Sequence, residues 1–200
     1  MAQEIWIIRH GETDSNAARV VQLPSALLSA QGREQAALLA TRAAAAGVER
    51  ILSSDLERAR HTAEAIATAT GAPLSVDELL RERDYGDLRG TPYAELGGLN
   101  IFAHEYEPPG GESGEVFHAR VDRAWARVVE VAGEVEGRLL VVTHGLVCAA
   151  FVERHVGGRL AVGDAYRNTS VTIVRPGAPW DVVRINCTNH LDAVAGGGIV

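Results

Sequence analysis

The sequence predicts an α/β protein, a three-layer α/β/α sandwich around a mainly parallel central sheet. Two observations predict it. Short apolar runs rich in β-branched residues alternate with longer alanine- and leucine-rich stretches of helical character. In addition, three of the presumed strands end in residues that carry chemistry: Arg9-His10, Ser53-Ser54 leading to Arg58, and Thr143-His144. Open α/β sheets bind ligands outside the carboxyl ends of their strands, so the two observations support each other.

In chain order, Glu4 to Ile8 reads as a buried strand that runs straight into Arg-His-Gly. Ser29 to Ala46 is a helix with Ser29 as N-cap and Gly47 after it. Arg50 to Ser53 is a second strand. Asp55 to Thr70 is a helix, capped by Ser54 or Asp55 and closed by Gly71. Pro73 to Arg83 is extended, and Gly86 to Gly111 is irregular apart from a helical turn near Tyr93 to Gly97. Ser113 to Glu134 is a long helix whose apolar face is Val116, Val121, Trp125, Val128 and Val131. Arg138 to Thr143 is the most strand-like segment, and His144-Gly145 opens a helix through Arg154. Strands at Ser170 to Val174 and Asp181 to Ile185 follow, then a flexible Gly196-Gly197-Gly198 tail. With no repeat and no long linker, residues 1–200 are expected to form a single domain.

Composition narrows the chemistry. Apolar residues make up 46% and charged residues 22%, which excludes a disordered chain. A net charge of −7 argues against nucleic acid as a partner, and an anionic substrate would need a local cluster of arginines to overcome that average field. All 19 basic residues are arginine, which removes every mechanism that needs an ammonium group. Cys148 and Cys187 lack metal-ligand spacing and read as small buried apolar residues. No signal peptide pattern and no membrane-spanning run is seen, so a cytoplasmic protein with no membrane partner is expected.

The sharpest motif is Arg9-His10-Gly11-Glu12-Thr13, with Asn16 three residues on. Arginine forks match phosphate oxygens, and a neutral imidazole is a competent nucleophile towards phosphorus. The chain also carries Leu28-Ser29 to Gly32, Gln35-Ala36, Ser53-Ser54-Asp55-Leu56 to Arg58-Ala59, Thr62-Ala63, Val142-Thr143-His144-Gly145, Asn168 to Ser170 and Asn189-His190-Leu191. In this set and order the sequence resembles the histidine phosphatase superfamily, which includes the cofactor-dependent phosphoglycerate mutases. The resemblance implies a phosphoglycerate mutase-like fold. It also implies phosphomonoester hydrolysis through a phosphohistidine on a small phosphorylated metabolite, with neither metal nor cofactor.

Residue by residue, the resemblance makes His10 the nucleophile, with its other nitrogen donating to a carbonyl, and Arg9 and Arg58 the pair that grips the phosphoryl oxygens. Asn16 is a neutral donor in the same pocket, and Gly145 follows His144, the second histidine, which donates to the phosphoryl group, most usefully when charged. The family's Leu-x-Glu pattern puts the proton donor on Glu82, with Asp84 as the runner-up. Arg83 and Tyr85 are candidates for the substrate's non-reacting end, and Glu112 and Ser113 for the pocket border. Several members of the family are dimers, so a homodimer is allowed, although the sequence marks no self-complementary surface.

Between Gly90 and Gly111 the chain has no Arg or Lys but has Glu95, Glu105 and Glu107, which favours hydrolysis over mutase action. Val20 to Leu28 is more apolar than in many relatives, which fits either a pocket wall for a less polar leaving group or a buried loop. A phosphosugar and a broad range of monoesters are equal expectations for the substrate. The alternatives are a phosphoglycerate mutase, a noncatalytic phospho-ligand binding module, and a metal-dependent hydrolase. The last is disfavoured because His61, His104, His118, His155 and His190 show no ligand spacing with carboxylates.

Overall fold

The computed structural model describes residues 1–161 and 164–192. Six strands form one sheet in the order β3-β2-β4-β1-β5-β6. These are β1 (Glu4–Arg9), β2 (Val48–Ser53), β3 (Leu74–Val76), β4 (Arg138–Thr143), β5 (Val171–Arg175) and β6 (Asp181–Cys187). The first four run parallel, and β5 and β6 add antiparallel strands beyond β1. The helices are α1 (Asp14–Ala17), α2 (Ala30–Ala44), α3 (Glu57–Thr70), α4 (Gly114–Gly133) and α5 (Gly145–Phe151). The last continues as a π-helical segment over Val152–Val156.

The strand side chains alternate between two apolar layers. Ile5, Ile7, Leu139 and Val141 pack with Phe117, Val121, Trp125 and Val128 of α4 and with Val147 and Phe151 of α5. Trp6, Ile8, Leu140 and Val142 face the other way, onto Leu39 and Ala43 of α2 and Ala59, Ala63 and Ile66 of α3. This is the three-layer sandwich read from the alternation of elements. The adjacent order β2-β4-β1 brings the carboxyl ends of the three chemistry-bearing strands side by side, with Arg9 opposite Thr143 and Ser53 opposite Val142.

Several boundaries differ from the sequence reading. Helix α3 starts at Glu57 with Leu56 as an N-cap that makes no side-chain cap bond; Ser54 Oγ instead accepts from the Leu56 N–H at 3.3 Å. The stretch from Pro73 holds only a three-residue strand, because the Asp77 side chain caps a 3₁₀ turn over Glu78–Leu80. Val116 is 56% exposed, and Phe117 takes its place in the core because four residues, not five, separate it from Val121 on a helix. The glycine tail lies outside the described residues.

The first turn of α2 presses against the backbone of the His10 loop. A β-carbon on Gly32 would lie 2.0 Å from the Glu12 carbonyl oxygen, and one on Gly11 would lie 2.6 Å from that of Gly32. Side chains lock the same contact: Ser29 Oγ donates to Glu12 Oε1 at 3.0 Å, and the Gly11 N–H donates to Thr62 Oγ1 at 3.1 Å. Gly32→Ala should therefore cost about 1–3 kcal/mol by overpacking. Gly133→Ala, with nothing within 4 Å of its β-carbon, should gain about 0.4–1 kcal/mol by removing backbone entropy from the unfolded chain. Urea unfolding of the two variants checks this, and equal midpoints would contradict it.

Candidate active site

The strand ends open onto a cavity of about 970 Å³ lined by Arg9, Asn16, Arg58, Glu82, Tyr85 and Gly145 among others. His10 and His144 are buried behind Arg58, 1% and 0% exposed, with ring centroids 5.1 Å apart. Of the nine predicted residues, seven line the cavity, Arg83 among them, and the two histidines lie behind that lining.

His10 Nδ1 is 2.7 Å from the Gly11 carbonyl oxygen, which can only accept. Arg58 Nε, which can only donate, is 3.3 Å from Nε2. Both contacts require the neutral tautomer with its hydrogen on Nδ1 and a lone pair on Nε2. Burial, then the charges of Arg58 and Arg9, hold the His10 pKa well below the usual histidine value, and the bond to Gly11 only partly opposes them. His10 is therefore held as a neutral imidazole, the form that a nucleophile towards phosphorus needs.

Arg58 is 3% exposed, and burial together with Arg9 lowers its pKa to about 10, against the opposing pull of Glu82. That is still far above neutrality, so Arg58 stays charged. Its second contact is the Leu23 carbonyl at 3.3 Å. Both bonds are long, and an incoming phosphate dianion offers the guanidinium a better partner than either. Arg9 donates Nη1 to the Tyr166 carbonyl, while its Nε is buried without a partner. Gly145 faces the same group, and its β-carbon would sit 3.6 Å from Arg9 Nε.

Asn16 closes a capping box with Thr13, and its Oδ1 accepts from the Thr13 N–H and from Asn168 Nδ2, both at 3.2 Å. With the oxygen used twice, the amide hydrogens are left for a ligand. Asn168 also donates to the His10 carbonyl at 3.1 Å, as does the Thr169 N–H at 3.2 Å. Thr169 sits at φ 54°, a conformation unfavourable for a β-branched residue. His190 Nε2 lies 3.1 Å from its hydroxyl and braces it. Burial and the Arg42 charge push His190 down to about 4, so that brace is a neutral imidazole.

His144 was expected to donate to a bound phosphoryl group, most usefully when charged. Burial first, then Arg58, His10 and Arg9, hold it well below the usual histidine pKa, so it is neutral in the unliganded site. Its Nε2 lies 2.9 Å from Ser54 Oγ, and its Nδ1 is buried without a partner. A phosphate dianion would shift this balance towards the charged form.

Glu82 and Asp84 differ in what holds each. Asp84 Oδ1 accepts from the Gly86 N–H at 2.8 Å and pairs with Arg89. Glu82 accepts only from the backbone N–H groups of Arg83 and Leu146, both at 3.1 Å, and faces Arg9 and Arg58. Burial raises its pKa from the ordinary carboxyl value, and it outweighs those N–H bonds and the two arginines. A raised carboxyl pKa beside two arginines is the direction a general acid needs.

Arg83 lines the cavity, but its guanidinium is spent on the carbonyls of Glu112, Ile101, Ala103 and Tyr106. It ties down the loop from Ile101 to Glu112, and the assignment to the substrate's far end is corrected accordingly. Tyr85 lines the cavity too, with its hydroxyl buried and unpartnered and its ring edge-on to Phe102 at 6.2 Å. Glu112 and Ser113 are outside the lining; Ser113 caps α4 by accepting from the Val116 N–H at 3.2 Å. Val21, Gln22 and Pro24 of the apolar loop are in the lining, which answers that either-or in favour of a pocket wall. Sequence reasoning assigned no role to Arg19, Tyr93, Phe102, Arg159 or Asn168, all of which line the cavity. Only Asn168 had a signal, its place in the Asn-Thr-Ser motif.

The comparisons agree with this geometry. The pattern of the histidine phosphatase superfamily (branch 1) matches residues 5–188. The chain belongs to that superfamily. It is 35% identical to the probable phosphoglycerate mutase GpmB of Salmonella paratyphi B, over 96% of each chain. Among solved structures it is similar to a mycobacterial glucosyl-3-phosphoglycerate phosphatase, with TM-score 0.81, 28% identity, 93% of this chain and 100% of that one covered. It is also similar to a putative α-ribazole-5′-P phosphatase from Escherichia coli, with TM-score 0.80, 25% identity and 94% and 98% coverage. The family and these neighbours make the chain a histidine phosphatase. Among the described residues no cluster of His, Cys, Asp or Glu could hold a metal ion, and no helix is long and apolar enough to cross a membrane.

A pH profile follows from the two shifts. His10 must be neutral, so kcat/KM rises as it loses its proton, well below the usual histidine range. Glu82 must be protonated, so kcat/KM falls as it ionises, at a pKa raised from the ordinary carboxyl value. With one aryl phosphate as substrate, Glu82→Gln should lose the part of the descending limb that Glu82 contributes and keep the ascending one. A profile unchanged in shape would contradict the assignment.

Proposed function

We propose that this histidine phosphatase hydrolyses the monoester of a phosphosugar or phosphoglycerate-like metabolite through a phosphohistidine on His10, with Glu82 as proton donor. The observation that carries the reading is the His10 imidazole with its Nε2 lone pair turned to Arg58, beside a cavity that also holds the buried Glu82 carboxyl, whose pKa burial raises.

In the first step Nε2 attacks phosphorus in line while the P–O bond to the leaving group breaks. Arg9, Arg58, Asn16 and the His144 Nδ1–H stabilise the equatorial oxygens, whose charge they meet in a water-poor site. Glu82 gives its proton to the departing alkoxide. In the second step the Glu82 carboxylate takes a proton from water, whose oxygen attacks phosphorus as the P–N bond breaks. Inorganic phosphate leaves, and both side chains return to their starting states.

The size of the cavity supports a leaving group well beyond a hydroxyl, and its outer wall combines Arg19 and Arg159 with the aromatic rings of Tyr93 and Phe102. Such a wall suits a substrate with a second polar or anionic part, of the kind named for the mycobacterial relative. The mutase reading draws on the Salmonella relative's name. Against it stands the loop over residues 91–110, which brings no cation to the cavity that would hold a monophosphate intermediate while it turned over.

The test is p-nitrophenyl phosphate hydrolysis in excess chelator, comparing wild type with His10→Ala. Chelator-resistant turnover that drops by at least about 10³-fold in the variant is expected, the scale of losing a catalytic nucleophile. Turnover that survives in His10→Ala, or that chelator abolishes, would overturn the proposal. A panel of glucosyl-3-phosphoglycerate, 3-phosphoglycerate and sugar phosphates should then release inorganic phosphate; isomerisation of 3-phosphoglycerate without release would favour the mutase.

A further inference from the structure

Glu82 sits in a segment that has no strand to hold it. Strand β3 ends at Val76, and from Leu79 to Asp84 the chain crosses towards the cavity without a ladder partner. Such carbonyls and N–H groups must find partners elsewhere. The Leu80 carbonyl accepts from Thr143 Oγ1 at 2.7 Å, and the carbonyls of Leu79, Arg81 and Glu82 turn to one ion pair. Arg120, on the second turn of α4, donates to the carbonyl of Leu79 at 2.8 Å, of Arg81 at 2.7 Å and of Glu82 at 3.3 Å. The same guanidinium forks onto Glu112, with Nε to Oε1 at 2.8 Å and Nη2 to Oε2 at 2.7 Å. Glu112 in turn accepts from the Asp84 N–H at 3.0 Å and gives its own N–H to the Asp84 carbonyl at 2.9 Å.

The pair therefore grips the backbone on both sides of Glu82 and at Glu82 itself. Both side chains are nearly buried, 12% and 18% exposed, and neither lines the cavity. Burial pushes the Glu112 carboxyl up, but Arg120 and the Asp84 N–H bring it below its ordinary value, so the pair is charged. Two desolvated charges are a poor device for stability alone, since apolar side chains would serve as well. They are a good device for fixing the direction of a chain, because the planar fork and the carboxylate allow little freedom.

We propose that Arg120 and Glu112 are positioning residues for the proton donor: they hold Glu82 within reach of the leaving-group oxygen. The inference rests on Glu82 being that donor. A lysine at position 120 would keep the charge but could not span three carbonyls and two carboxylate oxygens.

The test separates proton donation from the rest of catalysis by the leaving group. Dinitrophenolate leaves phosphorus without a proton, whereas phenolate, with a conjugate-acid pKa near that of tyrosine at about 10, leaves poorly without one. For Arg120→Lys and Glu112→Gln, kcat/KM on phenyl phosphate should fall roughly tenfold to a hundredfold, the scale of a small misplacement of a catalytic group. On 2,4-dinitrophenyl phosphate it should stay near wild type, and inhibition by inorganic phosphate should be unchanged. Glu82→Gln should show the same selectivity more strongly. Should Arg120→Lys fail to fold, Glu112→Gln carries the test. Equal losses on both substrates, or no loss on either, would overturn the proposal. If Glu82→Gln itself shows no dependence on the leaving group, the assignment of Glu82 fails, whatever the Arg120 variant does.

Discussion

The bond from His10 Nδ1 to the Gly11 carbonyl oxygen fixes which nitrogen of a buried imidazole is free to react. Without it the ring could carry its hydrogen on either nitrogen, and a hydrogen on Nε2 would block attack. With it the lone pair faces Arg58, and the arginine charges that receive a phosphoryl group also keep the ring unprotonated. Nucleophile and electrophilic grip are one electrostatic unit. The Gly11 carbonyl is held in turn because its loop is clamped against the first turn of α2, where only glycine fits at position 32.

The same unit explains how a chain of net charge −7 can take an anion. Its arginines are not spread evenly; Arg9 at the end of β1 and Arg58 in the first turn of α3 both line one cavity. The one carboxyl that faces them, Glu82, has its pKa raised by burial, which weakens its opposition to their charge. The field at the floor is thus positive whatever the average over the surface. Burial does three jobs with different signs: it lowers the histidines, raises the glutamate, and lowers Arg58 too little to discharge it.

The layers of the sheet were legible in the sequence because strands covered on both faces read as unbroken apolar runs, and β1 and β4 are of that kind. His10, Arg9, Arg58, Asn16 and His144 were legible because each sits at a strand end or a capping motif that the sequence marks. Arg83 was misread for a physical reason. An arginine one residue from a catalytic group looks like a ligand for substrate, and only the fold reveals that four carbonyls already occupy it. Arg120 and Glu112 were invisible as supports of Glu82, since their contacts join Arg120 to the Glu82 carbonyl 38 positions away and Glu112 to the Asp84 N–H 28 positions away, through backbone groups that no motif records. That His144 is neutral before phosphate arrives was not legible, because it follows from burial beside two arginines, which outweighs the histidine's intrinsic basicity.

The measurement that tests the central claim most directly is the regiochemistry of the trapped intermediate. Rapid quenching during turnover of a phosphomonoester, followed by mass spectrometry and ³¹P spectroscopy of the denatured enzyme, identifies both the residue and the ring nitrogen that carry phosphorus. The account predicts an acid-labile phosphoryl group on Nε2 of His10. A phosphoryl group on Nδ1, or on any other residue, would contradict it.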